Sequence, residues 1–162
     1  MIKGLYPFGL NHYRSLKFQK LRKLISKNQK KIKVEGAYGS SLSFLLIDIF
    51  SSINQQIFYI SNSKETASYI YSDIIELIGE KNCSFLPSNY RSDTKKIKDE
   101  SNIINRSKTI RDILDKETKI IVTYPEAIFE KIPDGKEIDS KTINIEKGQF
   151  LKINSINELL FD

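Results

Sequence analysis

Residues 36–44 read GAYGSSLSF, a stretch that resembles a phosphate loop with its working groups replaced. A loop of the form G-x-x-x-x-G-K-[ST] cradles phosphates with backbone N–H groups, reaches them with its lysine and holds Mg²⁺ with its hydroxyl. Here Gly36 opens the frame, with Gly39 and Ser40 inside it. Ser41 takes the place of the second glycine, Leu42 that of the lysine, and Ser43 that of the Ser/Thr. Losing the lysine removes a charge-assisted hydrogen bond worth about 1.5–3 kcal/mol, or about ten- to a hundredfold in affinity. It also removes the cation that would neutralise charge on a transferred phosphoryl group. Backbone donors at a helix start still favour an anion. The competing reading is a plain glycine turn into a helix that Ser40, Ser41 and Ser43 help to start.

Other residues capable of chemistry are sparse. His12 is the only histidine and has no nucleophile beside it, so a surface or structural role outweighs a catalytic one. Asp48 and Asp73 fall within apolar-periodic segments, where carboxylates usually face solvent or cap a neighbour. Cys83 is the only cysteine, with no partner for a disulfide or a CxxC metal site, and its strand setting predicts a buried, inert thiol. No catalytic residue, cofactor-binding group or metal ligand is expected from this set beyond the vestigial loop.

The chain of 162 residues is the size of one domain, with 40% hydrophobic and 28% charged residues. No apolar run approaches the roughly 20 residues that span a bilayer, and no secretory signal is visible. These features predict a cytoplasmic protein without membrane partners. Its net charge of +6 is uneven. Ten of its 26 Lys and Arg lie in residues 1–34, which carry no acid, leaving sixteen basic against twenty acidic residues in the remainder. Residues 1–30 therefore read as a basic arm on an acidic body formed by 31–162.

Periodicity orders the elements. YRSLKFQKLRKLISKN sets Phe18, Leu21, Leu24 and Ile25 on one helical face, and KIKVEG reads as a strand. A helix over SSLSFLLIDIFSSI follows, then the strand QIFYIS. The next helix carries Ala67, Ile70, Ile74 and Ile78, with Asn62 and Glu65 as a capping box and Gly79 as its stop. NCSFLP and KIIVTY read as strands either side of a loop at 88–99 and a helix through Ile103, Ile110 and Ile113. Pro125 opens the short helix PEAIFEKI. A turn at Pro133–Gly135, a strand KTINIEKG and a terminal helix over 153–162 complete the series. Such alternation predicts an α/β fold with a parallel sheet flanked by helices, the glycine loop lying at the carboxyl end of the KIKVEG strand, where ligands bind in such sheets.

In this order the residues resemble a known family. GAYGSSLSF is similar to the phosphate loop of the excision-repair helicase UvrB with its lysine gone. That change on that scaffold resembles the N-terminal UvrB-homology module of bacterial transcription-repair coupling factor (Mfd family). FLPSNYRSD, INRSKTIRDIL, IIVTYPEAIFEKIPD and IEKGQFL resemble successive segments of the module, over roughly Val34 to Asp162. The tyrosine-rich hairpin with which UvrB clamps DNA has no counterpart, since Tyr90 is the one tyrosine between Pro87 and Ile103.

The resemblance implies a degenerate, helicase-like domain akin to the first domain of UvrB, and a non-catalytic role in DNA repair. Full-length members are ATP- and Mg-dependent DNA translocases that displace stalled RNA polymerase and recruit UvrA, the damage-recognition protein of excision repair. By the same resemblance UvrA docks mainly on a domain that would follow Asp162, and this chain is expected to be an N-terminal portion of a longer protein or a truncated member of the family. Two alternatives stand beside it: an active nucleotide-binding domain, and a basic nucleic-acid-binding module. In the second, the ten cations of residues 1–34 with Tyr6, Phe8, Tyr13 and Phe18 among them would grip a phosphate backbone; against it stands a helix docked by its apolar stripe.

Overall fold

A computed structural model of the chain describes residues 16–27, 29–90, 99–132, 147–148 and 150. Two compact units divide it, Met1–Lys131 and Ile132–Asp162. The first holds helices α1 (Leu16–Ser26), α2 (Ser40–Ile53), α3 (Lys64–Ile78), α4 (Glu100–Leu114) and α5 (Pro125–Phe129), with strands β1 (Ile57–Ile60), β2 (Cys83–Phe85) and β3 (Ile120–Thr123). In the second, Lys147 and Gly148 form a turn, so the end expected for a strand over 141–148 is not extended there. The turn at 133–135, the rest of that strand and the terminal helix lie outside the described residues, as does His12.

The three strands form one parallel sheet in the order β1-β3-β2. Central β3 is isoleucine-isoleucine-valine-threonine, and all four side chains are buried, as expected of a parallel strand covered on both faces. Ile120 and Val122 meet α3 and α2 in the main core, with Leu46, Ile47, Phe50, Ile70 and Ile74. Ile121 points the other way. Its register partner Ser84 hydrogen-bonds Asp112 of α4, which places α4 on that second face. Phe58 and Ile60, in register with Ile121 and Thr123, share this face but stay about half exposed, because β1 is the sheet edge beyond α4.

Local signals mostly match the helix limits. Ala67, Ile70, Ile74 and Ile78 form the buried stripe of α3. Its cap is Ser63 and not Asn62: the Ser63 hydroxyl accepts from the Thr66 N–H at 3.2 Å, a pairing one residue later than the box expected from Asn62 and Glu65. Gly79, at φ 81°, closes the helix by donating to Ile75 O at 2.8 Å, a backbone conformation that favours glycine. Asp99 caps α4, and Pro125 stands first in α5.

The basic arm contains a helix, α1, and it packs against α2. Leu21 is buried, while Leu24 and Ile25 are half-buried. The stretch expected as the first strand is the main departure. Residues 31–35 form no strand. Lys31, Lys33 and Glu35 alternate with Ile32 and Val34, so a place in the middle of a two-faced parallel sheet would bury three charges on one side. Instead Lys33 and Glu35 pair at the surface and Val34 is 47% exposed.

Because Ile74 is fully buried between α2 and the sheet, Ile74→Ala should lower stability by about 2–5 kcal/mol. Urea unfolding followed by circular dichroism would read this as a lower midpoint with unchanged slope.

Candidate functional site

The glycine loop is well defined, and the positions that depart from the phosphate-loop pattern each have a structural use. Gly36 and Gly39 take φ of 85° and 53°, left-handed values that favour glycine; an added Cβ would meet no atom at either, so the demand is conformational. Gly39 is the N-cap of α2 and offers no side chain to its donors. Ser41 closes the loop on Tyr38. Its hydroxyl donates to Tyr38 O at 2.6 Å and accepts from the Tyr38 N–H at 2.8 Å, while the Ser41 N–H also donates to Tyr38 O at 3.2 Å. The Leu42 N–H donates to Gly39 O at 3.0 Å. Three backbone donors that a phosphate loop would turn outward are thus spent inside the turn. Ser40 stays exposed at the first position of the helix.

Leu42 packs half-buried against the main core. Ser43 is fully buried, and its hydroxyl donates to Asp73 Oδ2 of α3 at 3.1 Å. The hydroxyl that would meet a metal in a working loop here ties two helices together. The expected strand before the loop is missing, so the loop does not sit at a strand's carboxyl end. Beside it lies a cavity of about 490 Å³, walled by Leu21 and Leu24 of α1, Ile32 and Val34 of the linking segment, and Ser41 and Leu45 of α2.

The carboxyl ends of β2 and β3 hold a second polar cluster that sequence reading missed. Arg106 of α4 is 2% exposed. Its Nη1 donates to Pro87 O at 2.9 Å and Ala127 O at 2.8 Å, and its Nη2 to Glu130 O at 3.3 Å. The Glu130 carboxylate accepts from the Ser88 hydroxyl and from the Asn89 N–H, and lies 3.6 Å from Arg106 Nε. Tyr124 Oη accepts from the Ser88 N–H at 2.8 Å. Burial lowers the Arg106 guanidinium from its usual value and the Glu130 charge opposes this; burial also raises the Tyr124 phenol. With its donors turned onto loop carbonyls and a carboxylate, Arg106 fastens the two loops. The signal was present: it stands on the stripe of Ile103 and Ile110, where an arginine needs buried partners.

Three further carboxylates correct or extend the expectation. Asp48, expected to face solvent or cap a neighbour, is fully buried and paired in two-pronged fashion with Arg22 of α1, one bond measuring 3.0 Å. It is the only charged residue of α2. Asp112 accepts from Ser84 at 2.7 Å and from Lys119 Nζ at 2.9 Å. Asp73 is half-buried and engaged by Ser43. Cys83 is buried as expected, and burial pushes its thiol up to about 12.

No helix among the described residues is long and apolar enough to cross a membrane. No known family model matches the chain, and no curated protein matches it.

Burial pulls the Lys119 ammonium down, but Glu117 and Asp112 outweigh it and leave the group above the ordinary 10.5. A raised folded value means that the stability it adds is full below 10.5 and is lost as pH climbs through the folded value. The native chain should therefore lose stability more steeply than Lys119→Met at strongly alkaline pH, as read by urea midpoints across the pH range.

Proposed function

We propose that this chain is a non-catalytic, repair-related docking module built on a retired nucleotide-binding fold, of the kind found at the N-terminus of transcription-repair coupling factor. The observation that carries the reading is the disarmed loop. Leu42 belongs to the core, the Ser43 hydroxyl belongs to Asp73, and the Ser41–Tyr38 turn consumes its own donors. A loop that lost only its lysine would keep an open cradle; this one has been rebuilt as a helix start. The parallel α/β layer and the order of the resembling segments support the helicase-like, UvrB-related scaffold.

The same reading assigns the chain no ATP and no Mg²⁺ of its own. The excision-repair protein UvrA is its partner, mainly through sequence that follows Asp162, and RNA polymerase and DNA are partners of the longer protein. Calorimetric titration with ATP and Mg²⁺ is expected to give no binding. Leu42→Lys together with Ser41→Gly frees the Tyr38 N–H but should not create such binding, because the Ser43 hydroxyl stays on Asp73 and the backbone N–H groups of positions 41 and 42 stay bonded inside the turn. A micromolar dissociation constant for the native chain would overturn the proposal.

The partner is tested separately. Residues 1–162 alone should bind UvrA weakly or not at all, a longer chain including the next domain should bind it well, and added UvrB should displace that longer chain. Interferometry with both lengths decides: failure of the longer chain to bind removes the repair assignment, and tight binding by 1–162 moves the docking surface into this domain.

A further inference from the structure

Helix α1 and its C-terminal flank carry cations on two opposite sides. Lys20, Lys23 and Lys27 follow one another at helical spacing and are exposed, and α1 contains no acidic residue to offset them. Arg22 points elsewhere, into α2, where it pairs with buried Asp48. Among the described residues Arg22 is the only charge partner of that carboxylate. The apolar seal around this pair is thin. Of the α1 side chains from 19 to 26 only Leu21 is buried, and the cavity of about 490 Å³ opens along Leu21 and Leu24 where a packed helix would have none. Repulsion among the aligned lysines and the absence of an acid in the first turn leave α1 dependent on docking for its helicity.

We propose that α1 is a releasable strap, and that a nucleic-acid phosphate backbone draws it off α2 by competing with Asp48 for its cations. A ligand shifts such an equilibrium only as far as it prefers one state. Here two features supply the preference. In the docked state a polyanion on the lysine stripe lies against the first unit, whose residues 35–131 hold twelve basic and fourteen acidic residues and so repel it. In the lifted state α1 leaves that field and adds Arg22 to the cations that displace counterions from the phosphates. Asp48, buried in the docked state, then gains water in place of the guanidinium. Docking and nucleic-acid binding by the basic arm become two positions of one helix. The inference stands apart from the repair assignment, since it rests on α1, its seat on α2 and the charge of the first unit.

The single native cysteine makes the test clean, because Cys83 is buried and its thiol does not ionise near neutral pH. In a Leu21→Cys chain, labelling by a thiol-reactive disulfide reports lifting of α1. A short duplex DNA at low salt should speed labelling by about tenfold or more, and the effect should vanish as salt rises. Asp48→Asn in the same chain should speed labelling without DNA, and DNA should then add little. Labelling that DNA slows or leaves unchanged would overturn the proposal, as would labelling indifferent to Asp48→Asn in a chain that still melts cooperatively. Should Asp48→Asn fail to fold, the DNA titration of the Leu21→Cys chain decides alone.

Discussion

The described elements of the first unit are arranged around the double burial of β3. A parallel strand hydrogen-bonded on both edges and covered on both faces can present only side chains that need no water, and Ile120, Ile121 and Val122 meet that demand directly. Thr123 meets it by donating to Leu86 O at 3.0 Å. Since β3 sits between β1 and β2, the chain passes over it from β1 to β2 through α3 on one face and returns from β2 to its neighbour β3 through α4 on the other. The layers follow from that one position.

Polar groups then decide how firmly the layers join. On the α4 face the links are Ser84 to Asp112, Thr109 to Phe85 O and Arg106 to the loops after β2 and β3. On the opposite side Ser43 reaches Asp73, and Arg22 reaches Asp48. Among the described residues no buried side-chain nitrogen or oxygen lacks a partner. Breaking one member of such a set strands the other in low dielectric, which costs more than the pair gives by forming. The replacements in the glycine loop belong to the same logic. A serine that bridges Tyr38, a leucine in the core and a serine bonded to Asp73 make the turn an internal joint.

Periodicity made α2, α3, α4 and β3 readable because their apolar residues repeat at the spacing of the element they form. The leucine at 42 and the isolated Cys83 were equally legible, since each depends on residue type alone. By contrast KIKVEG has the alternation of a strand yet joins no sheet among the described residues; alternation describes a half-buried surface, whereas a central parallel strand needs apolar side chains on both sides. Caps moved by a residue for a similar reason: Asn62 and Ser63 are both competent, and the extended backbone at Ser63 chose between them.

Local spacing, charge count and single side chains suffice for the α/β class, the parallel strands, the basic arm and the absence of a lysine at position 42. Long-range pairing is another matter: Asp48 meets Arg22 across 26 residues, Arg106 meets Glu130 across 24, and Ser43 turns to Asp73 across 30, and each of these depends on how the folded elements pack. A charged residue on an apolar stripe announces that it needs a partner, since burial without one is too costly to persist. Which partner it finds is set by the packing of helices distant in sequence, and no local pattern records that geometry.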